Sequence, residues 1–545
     1  MTANQESLPY ALLARLATVA AMVFASAASA KDVPHEKHEL GPGCAPHRPA
    51  IAHHAGGLPA SPGKHERAPV PCSVNTGWRT SETALLVTNE GTVLFEPALT
   101  SETTGLPIGA LRSADKGASW EFVDPSPPAI ERVTAQDTTL AVDRDTGRLF
   151  WNTSSAAPFG SPVPFVDRSD DDGRTWTSSS PLPVLFDDAH VFTGRPTKAL
   201  RHLMRGYPNV VYVTVSGGFT CRLFGFCGTH ITRSLDGGAT WEPSVGLPFP
   251  AECPLPGALP MGGYLGYGIV DKDGTIYLPF TPCERPYVAI SHDEGATWQL
   301  SLVANTETIG YGAMPLGMDK HGTLYAAWSD SSNRLLYLAV SRDRGSHWSA
   351  PMMIAAPGVT ETAVPQLVAG ARGQVAVAYY GSQNAPLPFP TPCAGFSLGC
   401  PGYENETWNT YVTETWNGLD RHPLFWSATL NDPSHPTWYG VSPSAMRVGE
   451  TVYEGGGFGG GVASGDFASV GGPSFSGRMD YFGASMAPDD TPWVGFIQQC
   501  PSGRRPDGNP NCPDTLQGTA PDAAFGMVGR LIRAHGDGHD GDDDD

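Results

Sequence analysis

Apolar positions in this chain come in short runs that alternate with polar ones and stop at turns. The recurring unit is a strand, a turn rich in Asp, Asn or Gly, and a second strand. It occurs as ALLVTNEGTVLFEPA from Ala84, TLAVDRDTGRLFWNT from Thr139, the shorter NVVYVTVSGG from Asn209, YGIVDKDGTIYLPFT from Tyr267 and GMDKHGTLYAAWS from Gly317. QLVAGARGQVAVAYYGS from Gln366 and FGASMAPDDTPWVGF from Phe482 bring the set to seven. Period-two alternation on both sides of a turn of about two to four residues predicts a β-hairpin in each copy.

A second pattern follows five of these hairpins. The octapeptide Ser-x-Asp-x-Gly-x-(Ser/Thr/His)-Trp stands at Ser113–Trp120, Ser169–Trp176, Ser234–Trp241, Ser291–Trp298 and Ser341–Trp348. Its chemistry is that of a turn. The carboxylate accepts hydrogen bonds from nearby backbone N–H groups, the Ser hydroxyl joins it, and the Gly supplies a positive φ. The Trp is expected to anchor the hairpin against the next sheet. Asp170, Asp171 and Asp172 also suggest a calcium loop, but the EF-hand spacing and its terminal Glu are missing, so a structural turn is favoured.

These octapeptides resemble the Asp-box, or bacterial neuraminidase repeat, of sialidases and their relatives. The resemblance implies an all-β fold, a β-propeller whose blades carry the boxes on outer hairpins away from the central channel. Seven hairpin copies predict seven blades; six remain possible if the 430–480 stretch is an insertion. The expected organisation is a signal peptide over 1–30, a Pro/His/Gly-rich loop region over 31–75, the propeller over 76–533 and an acidic tail over 534–545.

Composition adds compartment and partners. Arg15 precedes an apolar run from Leu16 to Ala27 that ends in Ala28-Ser29-Ala30, the pattern of a cleaved secretory signal. Ten cysteines, all beyond residue 30 and none in a CxxC, fit structural disulfides whose connectivity stays open. The expected location is therefore secreted or periplasmic, with no membrane span. A net charge of −21 argues against nucleic acid as a partner. A monomer is expected, and neither a cofactor nor a metal site is expected.

In a propeller, ligands bind where the first strand of each blade begins, so residues just before those strands are the candidates for chemistry. Glu82, Asp137, Glu361 and Asp480 are the acid/base candidates and Tyr481 the nucleophile candidate. Arg79, His190, Tyr267, Tyr311 and Arg478 are the substrate-binding candidates. Carboxyls and a phenol converging on one mouth suit acid–base or nucleophilic work on a sugar. In the sialidase family an early Arg followed by Ile-Pro grips the substrate carboxylate; here Arg79 is followed by Thr80-Ser81. The expectation is a glycan-active protein, a glycoside hydrolase of exo-sialidase or related type. The alternative is a non-catalytic propeller that binds surface glycans or proteins.

Overall fold

The computed structural model describes residues 40–64, 66–80, 83–97, 109–124, 132–134, 139–155, 163–183, 189–216, 229–248, 267–308, 314–386, 405–439, 483–500 and 523–533. The expected signal peptide and acidic tail lie outside these residues. The described chain is built from β-strands and three short 3-10 turns.

Seven separate antiparallel sheets follow one another along the chain, and each is a propeller blade. Their first strands are Ala84–Val87, Leu140–Val142, Ala189–Gly194, Ile269–Val270, Leu316–Met318, Glu361–Ala369 and Ala484–Met486. Each first strand touches the first strands of the blades on either side, and the seventh touches the first. These strands therefore form the closed inner ring of a seven-bladed propeller, which settles the choice between six and seven. In blade 2 the inner strand has an additional piece, Arg132–Thr134, paired further along the same neighbour.

The ring closes through the two ends of the fold. Blade 7 takes its inner three strands from residues 484–532 and its outermost strand, Val70–Arg79, from the N-terminal side. That strand runs antiparallel to Ala523–Ile532, from Val70 opposite Ile532 to Asn75 opposite Met527. The Cys44–Cys72 disulfide clips the preceding segment to it. Blade 6 is widened by the hairpin Ile51–His54 and Leu58–Pro59, which pairs with its strand Phe425–Thr429. The 31–75 region read as loop in the sequence thus contributes strands to two blades. Its Pro and Gly content hid them, because strands at a sheet edge tolerate both.

Seven apolar clusters hold the ring, one at each blade–blade interface. A single strand feeds two of them. Tyr277 packs between blades 4 and 5, while its neighbours Ile276 and Leu278 pack between blades 3 and 4. Middle strands are buried on both faces, as Ile276–Phe280 and Leu324–Ser329 are at every residue. They read as continuous apolar runs, not as a strict apolar–polar alternation, because no face of a middle blade strand meets water. Trp151, Trp328 and Trp408 are fully buried, each contributing roughly 2–3 kcal/mol of apolar burial.

All five octapeptides form the expected turn between the third and fourth strands of blades 1 to 5. In the third, Ser234 Oγ donates to Asp236 Oδ1 at 2.7 Å, and Asp236 accepts from the Thr240 N–H at 2.9 Å and its hydroxyl at 2.5 Å. The Gly238 N–H then donates to Ser234 Oγ at 2.9 Å. Gly238 has φ 86°, and a Cβ there would lie 3.0 Å from the Phe150 ring of blade 2. Trp241 packs at the same interface. The other four boxes likewise set their Trp against the blade before them. The box therefore anchors to the preceding blade, a correction to the expected next sheet. The positive-φ Gly turns the loop back over the neighbour already passed.

Candidate functional site

Strand direction defines the two ends of the channel. First and third strands of a blade run parallel to each other, since both are antiparallel to the second. The boxes begin where third strands end, so they lie at one end, and inner strands begin at the other. That second end is the mouth. Its described polar groups come from inner-strand starts, from the ends of second strands and from second-to-third connections.

The densest group of charges at the mouth gathers around Glu361, the first residue of blade 6. Glu361 accepts from Arg334 Nη1 at 3.0 Å, and both side chains are about 6% exposed. Arg334 sits in the second-to-third connection of blade 5. Its own N–H donates to the Asp330 carbonyl at 2.7 Å, and its carbonyl receives the Thr362 N–H at 2.8 Å. Arg334 adopts φ 59° and Val364, three residues beyond Glu361, adopts φ 52°. Left-handed backbone at non-Gly residues, above all a β-branched one, is strained. Val364 lies in the bulge that shifts register between Ala363 and Gln366, a device that re-aims side chains.

Glu406 completes the group. It stands one residue before the third strand of blade 6, Thr407–Thr415, and is 2% exposed. Among the described residues, neither of its oxygens has a hydrogen bond of ordinary geometry, and Glu361 Oε2 also lacks one. Ser382, opposite Glu361 in the sheet, is the hydroxyl nearest in influence to Glu406, but it donates to Asn384 Oδ1 at 3.3 Å. Burial raises both carboxyls above the ordinary carboxylate range. Arg334 pulls Glu361 back toward ionisation, whereas the charge of Glu361 pushes Glu406 higher still. Two buried carboxyls served by one guanidinium are thus both raised, Glu406 by more than Glu361.

A second group at the mouth is aromatic. His190, on the inner strand of blade 3, meets Tyr267 just ahead of blade 4, with ring centroids 5.1 Å apart at 82°. Burial depresses His190 to about 3, so its imidazole is neutral. Burial, then the charge of Glu96 at the end of the second strand of blade 1, raises the Tyr267 phenol, which therefore stays protonated. The Tyr267 hydroxyl is buried without a hydrogen-bond partner among the described residues.

The predicted residues thus fall into three classes. Glu361, His190 and Tyr267 stand at the mouth. Arg79 ends the outermost strand of blade 7, opposite Phe525, on the rim of the ring. Glu82, Asp137, Tyr311, Arg478, Asp480 and Tyr481 lie outside the described residues. The sequence reading missed Arg334, Glu406 and Glu96. The strand after Glu406, Thr407–Thr415, mixes Trp408, Tyr411 and Val412 with polar residues, so no apolar run marked Glu406 as a strand start.

Two open concavities occur at the box end. One, of about 540 Å³, is lined by Arg342, Asp343, His347, Trp348, Met352 and Arg421. The other, of about 310 Å³, is lined by Arg148, Arg168, Asp170 and Asp171. In each, an acid group is already paired, Asp170 to Arg148 at 2.6 Å and Asp343 to His347 at 2.6 Å. The mouth is the better candidate, because its acid groups are buried, perturbed and incompletely partnered. No cluster of three or more metal-ligating residues occurs among the described residues.

No protein-family profile matches the chain. A xyloglucanase from a Paenibacillus species is 25% identical over 240 residues, which is 43% of this chain and 18% of that protein. The chain spans less than a fifth of that relative's length. Among solved structures, a Hadza microbial sialidase is 16% identical, with 65% of this chain and 66% of that one covered and a TM-score of 0.36. A NanB sialidase from Streptococcus pneumoniae is 12% identical over 84% and 69%, also at 0.36. An α-L-arabinanase from Penicillium chrysogenum is 13% identical over 71% and 99%, again at 0.36. The structural neighbours are sialidases and other glycan-active β-propellers.

Proposed function

We propose that this chain is an exported glycoside hydrolase whose acid–base pair is Glu406 and Glu361. The observation that carries the reading is the buried carboxyl pair at the mouth, served by one guanidinium. Hydrolysis needs one carboxyl that keeps its proton and one that has lost it. Glu406, protonated, donates to the glycosidic oxygen as its bond to the anomeric carbon breaks. Glu361, ionised beside Arg334, takes a proton from the water that attacks that carbon. One water is consumed, and exchange with solvent restores both carboxyls. Tyr267 keeps a phenolic O–H for a sugar oxygen. The Cys44–Cys72 disulfide supports an oxidising compartment.

One observation favours a second reading, the non-catalytic propeller. A carboxylate that is 4% exposed and ion-paired between two blades is also how a structural pin is built. The test is turnover of a mass-spectrometric panel of neutral, uronic and sialylated glycans by wild type, Glu361→Gln and Glu406→Gln. The hydrolase reading expects a 10²–10⁴-fold loss of kcat in each variant with unfolding midpoints close to wild type. Turnover unchanged in both, or displaced midpoints with kcat intact, would leave the pin.

A further inference from the structure

We infer that the mouth selects an uncharged, hydroxyl-rich sugar and discriminates against sugars bearing a carboxylate. This rests on the glycan-active reading above and names its substrate class.

The argument is one of unmet acceptors. Among the described residues, Glu361 Oε2 and both oxygens of Glu406 are buried without hydrogen bonds of ordinary geometry. A buried acceptor left empty is costly, and a group that brings O–H donors relieves that cost. Sugar hydroxyls are such donors. A carboxylate brings only acceptors, so it satisfies none of these oxygens beyond the one that already carries a proton.

Charge points the same way. The guanidinium beside the pair, Arg334, is already held by Glu361 at 3.0 Å. Capture of a substrate carboxylate wants a bidentate Arg fork, and using Arg334 for it would strip Glu361 of the cation it is paired with. Glu96, 0% exposed and within electrostatic reach of Tyr267, adds a third acid at the same end. An anionic sugar would enter a buried site already rich in carboxyls, where like charges are poorly screened. The His190–Tyr267 edge-to-face pair is neutral and offers an apolar surface with one hydroxyl. Among the described residues, the mouth is built for hydroxyls and C–H faces.

The test uses ligands that differ only in charge. Binding to the full mature chain is measured by saturation-transfer NMR and titration calorimetry with oligogalacturonate and its methyl ester. A neutral galacto-oligosaccharide and its sialylated form make a second pair, and turnover is followed on all four. The expected result is at least tenfold tighter binding of the uncharged member in each pair. In Glu406→Gln, whose amide brings its own donors, that ratio narrows toward unity.

Equal or tighter binding of the carboxylated members overturns the inference while leaving the glycan-active reading intact. Binding of uncharged members without turnover has the reverse meaning: the class holds and the hydrolase reading fails. No binding of any of the four overturns both. A wild-type preference that persists undiminished in a folded Glu406→Gln protein removes the pair as its source and overturns the assignment.

Discussion

Glu414 makes the molecule's pH response testable on one residue. It lies near the box end of the third strand of blade 6 and is 1% exposed. Gln374 Nε2 donates to its Oε1 at 2.8 Å, and its Oε2 has no partner of ordinary geometry. Burial pushes the carboxyl up from 4.5 to about 8, against the pull of Gln374, Arg533 and Trp416. A folded pKa above the unfolded one means that the native state binds the extra proton, so stability falls as pH rises past the unfolded value. With 4.5 and about 8 as limits, the loss is near zero at pH 4, about 3 kcal/mol at pH 7 and about 5 kcal/mol above pH 9. Glu414→Gln keeps an acceptor for Gln374 and removes the titration. The variant should therefore match wild type near pH 4 and exceed it by about 3 kcal/mol at pH 7, a rise in Tm of about 3 °C for a chain of this size. Thermal and urea unfolding of both proteins at pH 4, 5.5, 7 and 8.5 measure the gap. A gap that is constant with pH, or wild type the more stable at pH 7, refutes the reasoning.

Other substitutions probe the remaining parts. Asp236→Ala leaves the Ala239 and Thr240 N–H groups without their acceptor and should cost about 1–3 kcal/mol by denaturant titration, with glycan turnover per folded molecule unchanged. Gly238→Ala forces a Cβ to 3.0 Å from the Phe150 ring at φ 86°; a cost of about 1–3 kcal/mol is expected in the same titration. Cys72→Ser opens a loop of 28 residues and should cost about 3–4 kcal/mol, read as a lower urea midpoint than wild type under non-reducing conditions. His190→Gln should leave the shape of any pH–rate profile intact, since His190 stays neutral down to about 3; a vanished limb between pH 5 and 8 would show that it titrates in the reaction.

The fold was far more legible than the site, and the reason is physical. A blade repeats because each sheet must present the same two faces to its neighbours. Five boxes and seven hairpins therefore recur in the sequence with their Gly and Trp in fixed places. Where the same turn is made by other residues, the motif search passes over it. In blade 6, Thr415 Oγ1 donates to Asn417 Oδ1 at 2.9 Å and accepts from the Asn417 N–H at 3.3 Å. This is the Ser–Asp contact of a box written with Thr and Asn. The N-terminal strand Val70–Arg79 was hidden for a different reason, since its partner lies some 450 residues away and closure leaves no local period. The mouth is hidden for the same reason. Arg334, Glu361 and Glu406 come from two connections and one strand start, each irregular, and only the ring brings them together. Glu361 was reachable because it begins an apolar strand; Arg334 was not, because its value to the site is its ion pair.

The boxes and the mouth are electrostatic opposites, and this constrains how the molecule works. Within the boxes the Asp carboxylates are held ionised. Asp115 is lowered first by the Ser119 hydroxyl, and Asp343, lowered to about 2, first by the His347 N–H. For Asp171, Asp236 and Asp293 burial works to raise them, but the threonines at 175, 240 and 297 outweigh it. Folded values below the unfolded ones give stability that is present above the usual Asp range and is lost as pH falls through the depressed values. At the mouth the sign reverses. Glu361 and Glu406 are raised by burial, so they favour the fold most at low pH and oppose it increasingly as pH rises above the ordinary Glu value. Acid thus loosens the turns and eases the mouth, while alkali leaves the turns intact and strains the mouth. On the proposed hydrolase reading, a site that keeps a protonated carboxyl beside an ionised one carries that strain at working pH. The boxes at the opposite end, whose Asp carboxylates are hydrogen-bonded, are where the fold can offset it without touching the chemistry.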